Sequence, residues 1–201
     1  MAHPLLNRRQ MIAATVAAAV PLVARAATDE TVKTAETWVV PPEFQPKAVR
    51  FRDELVVGSI IVDPNVFALY WVTAPKKGIR YTVGVGRGNL YEAGNFTVGA
   101  KKEWPSWTPT PEMIARNPDR YARYANGMPG GPTNPLGARA LYLFDEVRGD
   151  TFLRIHGTPE PWTINSAVSN GCVRLVNEHI IALYDAVEIG APVSLLPKVA
   201  A

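Results

Sequence analysis

The chain holds a single cysteine in 201 residues, Cys172, and an internal disulfide is therefore excluded. Histidine is nearly as scarce: of three, His3 lies in the N-terminal segment, which leaves His156 and His179. With no second cysteine and no His-Glu-x-x-His, the common zinc ligand sets are missing. Ser-x-x-Lys and Gly-x-Ser-x-Gly are missing too, so the serine acyl-enzyme classes lack their motifs. Basic charge is lacking where it would matter. Arg8, Arg9 and Arg25 account for the whole net charge of +3, and from Ala27 onward acids and bases balance. No excess remains to attract nucleic acid or anionic lipid.

What is present at the N-terminus is a targeting pattern. Arg8-Arg9 precedes the apolar run 11–24, which is shorter than the roughly 20 residues a membrane-crossing helix needs. Ala24-Arg25-Ala26 is a small-x-small cleavage signal. Twin arginines before an Ala-rich run resemble a twin-arginine (Tat) export signal, with cleavage near Ala26 and the Gram-negative periplasm as destination. An uncleaved anchor helix is the alternative. The sequence thus divides into a signal at 1–26, an arm or linker at 27–54, rich in polar residues and proline, and a domain at 55–198.

The domain reads as mainly β. Residues 59–63 and 67–73 are strands around the turn Pro64-Asn65, and 79–85 alternates as a third. The glycines Gly84, Gly86 and Gly88 are not followed by a helix pattern, so they read as close backbone packing or a bulge and not as a phosphate loop. Residues 95–100, 140–144, 152–155 and 192–196 are further strands. One good helix begins at Asn177-Glu178, with Ile180, Leu183, Tyr184 and Val187 on its buried face. His179 falls off that face and reads as solvated. Between 103 and 137 lies a long irregular stretch with Trp104, Trp107, Tyr121 and Tyr124. Thr110-Pro111-Glu112 signals one short helix in it, to about Asn117. Its aromatics either cover the sheet or form a lid over a site, and the two are compatible.

A lone cysteine is either a small buried hydrophobe or a reactive thiol. A thiol needs a base to ionise near neutral pH. His156, at the end of a strand and before Gly157, is the better placed of the two histidines. Gly171 lets the backbone approach a substrate, and the amides of Asn170, Gly171 and Cys172 are candidates for an oxyanion site. Arg174 shares a strand face with Cys172, either to hold charge at the site or to form an ordinary ion pair.

His156-Gly157-Thr158, then Ser169-Asn170-Gly171-Cys172-Val173-Arg174-Leu175 with Asn177 beyond, resembles the signature of L,D-transpeptidases of the YkuD type. Residues 130–137 and Gly84-Val85-Gly86-Arg87 are similar to that family as well. The resemblance implies a β-sandwich-like catalytic domain in which Cys172 attacks the peptide bond after meso-diaminopimelate in a peptidoglycan tetrapeptide stem. D-Alanine leaves and the acyl group passes to an acceptor amine. It implies His156 as base, the Gly157 carbonyl as its orienter, Ser169 and Arg174 as site-lining residues, and no metal or organic cofactor. The alternative is transfer to water, as an L,D-carboxypeptidase, or the attachment or release of an outer-membrane protein or lipoprotein on peptidoglycan. A non-catalytic wall-binding module with a buried cysteine is the reading from another class. Two departures stand out: Asn170 replaces a common histidine, and Tyr91-Glu92-Ala93-Gly94 replaces Thr-Pro-x-Gly.

Overall fold

A computed structural model describes residues 38–199. The signal reading at 1–26 lies outside them. Among the described residues there are eleven strands and three α-helices: β1 (Lys47–Arg50), β2 (Ile60–Asp63), β3 (Ala68–Ala74), β4 (Lys77–Thr82), β5 (Val85–Gly86), β6 (Gly94–Glu103), α1 (Pro111–Arg116), α2 (Pro118–Tyr121), β7 (Arg139–Asp145), β8 (Gly149–His156), β9 (Ala167–Ser169), β10 (Val173–Arg174), α3 (Asn177–Ala186) and β11 (Pro192–Leu195). Nine of the strands form one sheet in the order β1-β4-β3-β2-β11-β6-β7-β8-β10, and β5 pairs with β9.

Local chemistry explains the strands. In β3 the side chains alternate between two apolar environments, as a period of two requires. Leu69 and Trp71 face the main core, whereas Ala68, Tyr70 and Val72 face a second, smaller cluster. β2 does the same, with Ile60 and Val62 on one side and Ile61 on the other. The sheet then curls. Gly84, just past β4, exchanges backbone hydrogen bonds of 2.9 and 2.8 Å with Arg174 in β10, at the far end of the strand order. Two halves of one sheet therefore face each other across the main core. That core draws on β2, β3 and β4 from one half and on β7, β8 and β10 from the other, with Ile180 and Leu183 of α3 between them.

Three features depart from the sequence reading. His179 is not solvated: it is 5% exposed, and its ring lies 5.9 Å from that of Tyr81. The reason is the curl, which brings Tyr81 of β4 beside His179 of α3. The stretch read as an arm contains β1, which pairs antiparallel with β4. Val49 and Phe51 there cover the smaller cluster, and Trp38, Val40 and Phe44 pack with Ile164 and Val176. The long irregular stretch holds two short helices instead of one. Thr110 caps α1 by accepting from the Met113 amide at 3.3 Å, and Asn117 caps α2 by accepting from the Arg120 amide at 3.1 Å. Among the described residues, no helix is long and apolar enough to cross a membrane.

Candidate active site

The site grows out of the β8–β10 pair. These strands run parallel, with Val173 beside Ile155 and Arg174 beside His156. Ile155 and Val173 are buried in the core. By alternation, Arg154, His156 and Arg174 point the other way, and Cys172, two residues before Arg174, joins them. One register thus sets the lone thiol and the imidazole on one face. Both side chains line a single cavity of about 720 Å³. Cys172 is half-buried on its wall and is not sealed in the core.

The loop before β10 is shaped by its own hydrogen bonds. The Ser169 hydroxyl donates to the Cys172 carbonyl and accepts from the Gly171 amide at 3.2 Å. Gly171 has φ +126, a conformation that side chains rarely adopt. A Cβ there would also meet the Leu90 carbonyl at 2.9 Å. Gly86 backs this loop, because a Cβ on it would lie 2.9 Å from the Gly171 Cα. Gly84 and Gly86 therefore serve close packing, as their sequence context indicates, whereas Gly88 has open space around it and a positive φ of 49. Lys198 holds them from outside, donating to the Gly86 and Gly88 carbonyls at 2.8 Å each.

His156 is 3% exposed. Its Nδ1 lies 2.5 Å from the Gly157 carbonyl. A carbonyl can only accept, so Nδ1 carries the hydrogen and Nε2 holds the lone pair. Burial, and then the positive charge of Arg174, pushes the imidazole pKa down to about 3, against the upward pull of the Gly157 hydrogen bond. The ring is therefore neutral at physiological pH, and burial makes it a weak base in the resting site. Gly157 is held in turn by Asn177, whose Oδ1 accepts from the Ala138 amide at 3.0 Å and packs where a Cβ on Gly157 would sit. Burial pushes the Cys172 thiol up, while the Arg154 amide and the charges of Arg154 and Arg174 pull it back. The sulfur lies 3.8 Å from the Phe152 carbonyl, which accepts from the thiol. Phe152 itself has φ 60, an uncommon conformation for a side-chain-bearing residue.

Residues 103–137 cap this cavity. Trp107, Tyr121 and Tyr124 line it, and Trp104 does not. Trp107 meets Tyr121 and Tyr124 edge-on, at 6.2 and 5.8 Å between centroids. Arg174 faces Glu160 at 3.4 Å and also lines the cavity, so it is both ion-paired and at the site. Sequence reasoning missed Arg154, Tyr142 and Glu160, all of them on the cavity wall. Arg154 forks onto Asp150 at 2.6 and 2.9 Å and lies 4.0 Å from the Tyr142 ring centroid. Its signal was available: a residue two before His156 in a strand shares the same face. Among the described residues, no group of three or more His, Cys, Asp or Glu side chains is placed to hold a metal ion.

Comparison with known proteins agrees with this geometry. The family model described as YkuD, L,D-transpeptidase catalytic domain, matches residues 58–195. The Escherichia coli protein named "Probable L,D-transpeptidase ErfK/SrfK" is 31% identical over 143 residues, covering 70% of this chain and 44% of that protein. The Escherichia coli protein named "Probable L,D-transpeptidase YbiS" is 31% identical over 155 residues, 76% of this chain and 49% of that one. The chain thus spans about half the length of these relatives. Among solved structures, a Brucella melitensis protein titled "Probable carnitine operon oxidoreductase caia" is 46% identical, with a TM-score of 0.54 and coverage of 81% of this chain and 96% of that one. Its title speaks of a different chemistry and belongs to that protein. L,D-transpeptidase 3 of Mycobacterium tuberculosis shares the fold at 18% identity and a TM-score of 0.51, over 69% of this chain and 60% of that chain. With the family model covering more than half of its length, the chain belongs to the YkuD family of L,D-transpeptidase catalytic domains.

Proposed function

We propose that this protein is a periplasmic cysteine L,D-transpeptidase that forms an acyl-enzyme on Cys172 with peptidoglycan tetrapeptide stems. The observation that carries the reading is the shared face of β8 and β10, where Cys172 and His156 open into one cavity. His156 Nε2 accepts the thiol proton, and the thiolate attacks the carbonyl after meso-diaminopimelate. The oxyanion that develops is met by the amides of Asn170 and Cys172, since the Gly171 amide is already given to Ser169. Such pre-aimed donors contribute on the order of 3 kcal/mol each. The tetrahedral intermediate collapses, the C–N bond breaks, and the imidazolium returns its proton to the departing D-alanine amine. An acceptor amine then attacks the thioester by the reverse sequence and restores the thiol. Arg174, with its charge only partly balanced by Glu160, stabilises the thiolate or holds a substrate carboxylate. Trp107, Tyr121 and Tyr124 form the lid that excludes water from the thioester. A stem peptide as acceptor gives a 3-3 cross-link.

The test is muropeptide analysis after incubation of the purified protein with defined tetrapeptide muropeptides. Free D-alanine with 3-3 dimers supports the reading, and its loss in Cys172→Ala ties it to the thiol. Tripeptides alone would replace it with hydrolysis. Peptides bearing protein remnants, from incubation with envelope, would replace it with protein attachment.

A further inference from the structure

We propose that the side chain of Asn170 is a positioning residue that latches the cap to the nucleophile loop and so sets how far the mouth over Cys172 opens. The inference rests on the proposed role of Cys172 as the reactive thiol. Asn170 stands two residues before Cys172, and three segments converge on it. Its Oδ1 accepts from Arg116 of α1 at 3.0 Å and from Arg87, beyond β5, at 3.3 Å. Its Nδ2 donates to the Tyr121 hydroxyl, at the end of α2, at 2.9 Å.

The cap depends on such a tie. Helices as short as α1 and α2 do not hold themselves together in water, and these two pack chiefly on each other and not on the sheet. Tyr121 is 6% exposed and belongs to the ring cluster with Trp107 and Tyr124. Trp107 is in turn bridged to Met128 by backbone hydrogen bonds of 2.9 and 2.7 Å. The aromatic part of the cap is thus one unit, and the hydroxyl of its buried tyrosine rests on the residue beside the nucleophile.

The chemistry at position 170 is specific to an amide. One carboxamide oxygen has two lone pairs and takes both guanidinium groups, while the NH₂ serves the phenol. A neutral imidazole offers a single acceptor lone pair and a single N–H. It cannot reproduce all three contacts. Asparagine at this position therefore suits the arginine-bearing cap of this chain.

Cys172 is the only cysteine, so thiol labelling reports on it alone. The rates of alkylation by iodoacetamide and by a bulky polyethylene-glycol maleimide are measured in the full chain and in Asn170→Ala, Asn170→His, Tyr121→Phe and the Asn170→Ala/Tyr121→Phe double variant. Asn170→Ala is expected to raise the bulky-reagent rate about tenfold, as for the loss of one or two hydrogen bonds, and to leave the iodoacetamide rate within about twofold. Asn170→His and Tyr121→Phe go the same way by less, and the double variant does not exceed Asn170→Ala, because both changes remove one contact. In D-alanine release, KM rises more than kcat falls. An unchanged ratio of bulky to small reagent in every folded variant overturns the latch. An equal rise with both reagents also overturns it, because Asn170 would then act on the loop and not on the cap. Tyr121→Phe carries the test if Asn170→Ala does not fold. If the parent chain alkylates as predicted but releases no D-alanine, the transpeptidase reading fails and the latch stands.

Discussion

The proposed chemistry turns on the protonation states of two side chains. With its pKa pushed down to about 3, His156 stays neutral across the physiological range, and the thiol, pushed up by burial, stays protonated in the resting enzyme. The resting pair is thiol and imidazole, and in the proposed reaction charge separation is deferred until substrate is bound. Alkylation of Cys172 should therefore climb as pH rises through and beyond the ordinary cysteine range, with no inflection near 6.5; a step at that pH would show an imidazolium–thiolate pair instead. His156→Ala should lower D-alanine release by roughly 10²–10⁴-fold, the usual worth of a general base. Alkylation at high pH should survive in that variant. His179 makes a different prediction, about stability. Both its ring nitrogens are buried without a partner, and burial pushes its pKa down to about 4. The unfolded chain takes up a proton at His179 below about pH 6.5, and the folded chain resists until about 4. Stability is thus fully present above the unfolded value and falls as the pH drops through that window, by up to ~3 kcal/mol at pH 4 from this residue. In thermal melts, His179→Leu should flatten the loss of Tm between pH 6.5 and 4 relative to the parent. A parallel pH slope would show that the ring is not the cause.

At the scale of elements, the parallel pairing of β8 with β10 and the two short cap helices decide the site. Thr110 caps the N-terminus of α1 with its side chain. Thr110→Ala should cost about 1 kcal/mol locally. It should appear as faster amide exchange in residues 111–124 and a higher KM, with the global Tm little changed; a large fall in Tm would mean the cap is part of the main folding unit. Legibility differed between elements for physical reasons. The strands around Pro64-Asn65 and the helix from Asn177 carry their period in their own residues, and the structure places them within a residue or two of the reading. The pairing of Cys172 with His156 on one cavity wall was legible because Cys172 is alone; a strand-end histidine by itself is more often structural and gains weight only beside that cysteine. His179 was not legible, since its burial depends on Tyr81, nearly a hundred positions earlier, which the curled sheet brings over the helix. Strand β1 was hidden by the prolines and charges around it. Its pairing edge is set by β4, and nothing in Lys47-Ala48-Val49-Arg50 announces that partner. The α2 helix was missed because Pro118 reads as a stop, whereas it stands at the first position of a new helix capped by Asn117.

At the scale of the whole molecule, the curled sheet needs both of its cores. The smaller one lies on the outer face of β2 and β3 and is closed by Val49 and Phe51, which precede the span matched by the family. The Phe51 ring packs within 2.8 Å of where a Cβ on Gly78 would sit. Deleting the chain up to residue 54 should remove this cover, with a loss of about 1.5–3 kcal/mol for each large apolar side chain re-exposed on its partners. Urea denaturation should show the lower midpoint, and an unchanged midpoint would mean that β1 is dispensable. The proposed function converges on the wall where β8 meets β10. The most direct test of that convergence is the intact mass of the protein trapped during turnover of a tetrapeptide muropeptide. We predict an adduct equal to the donor less D-alanine, mapped by peptide digestion to Cys172 and missing in Cys172→Ala. An adduct on another residue, or D-alanine release that continues in Cys172→Ala, would contradict the account.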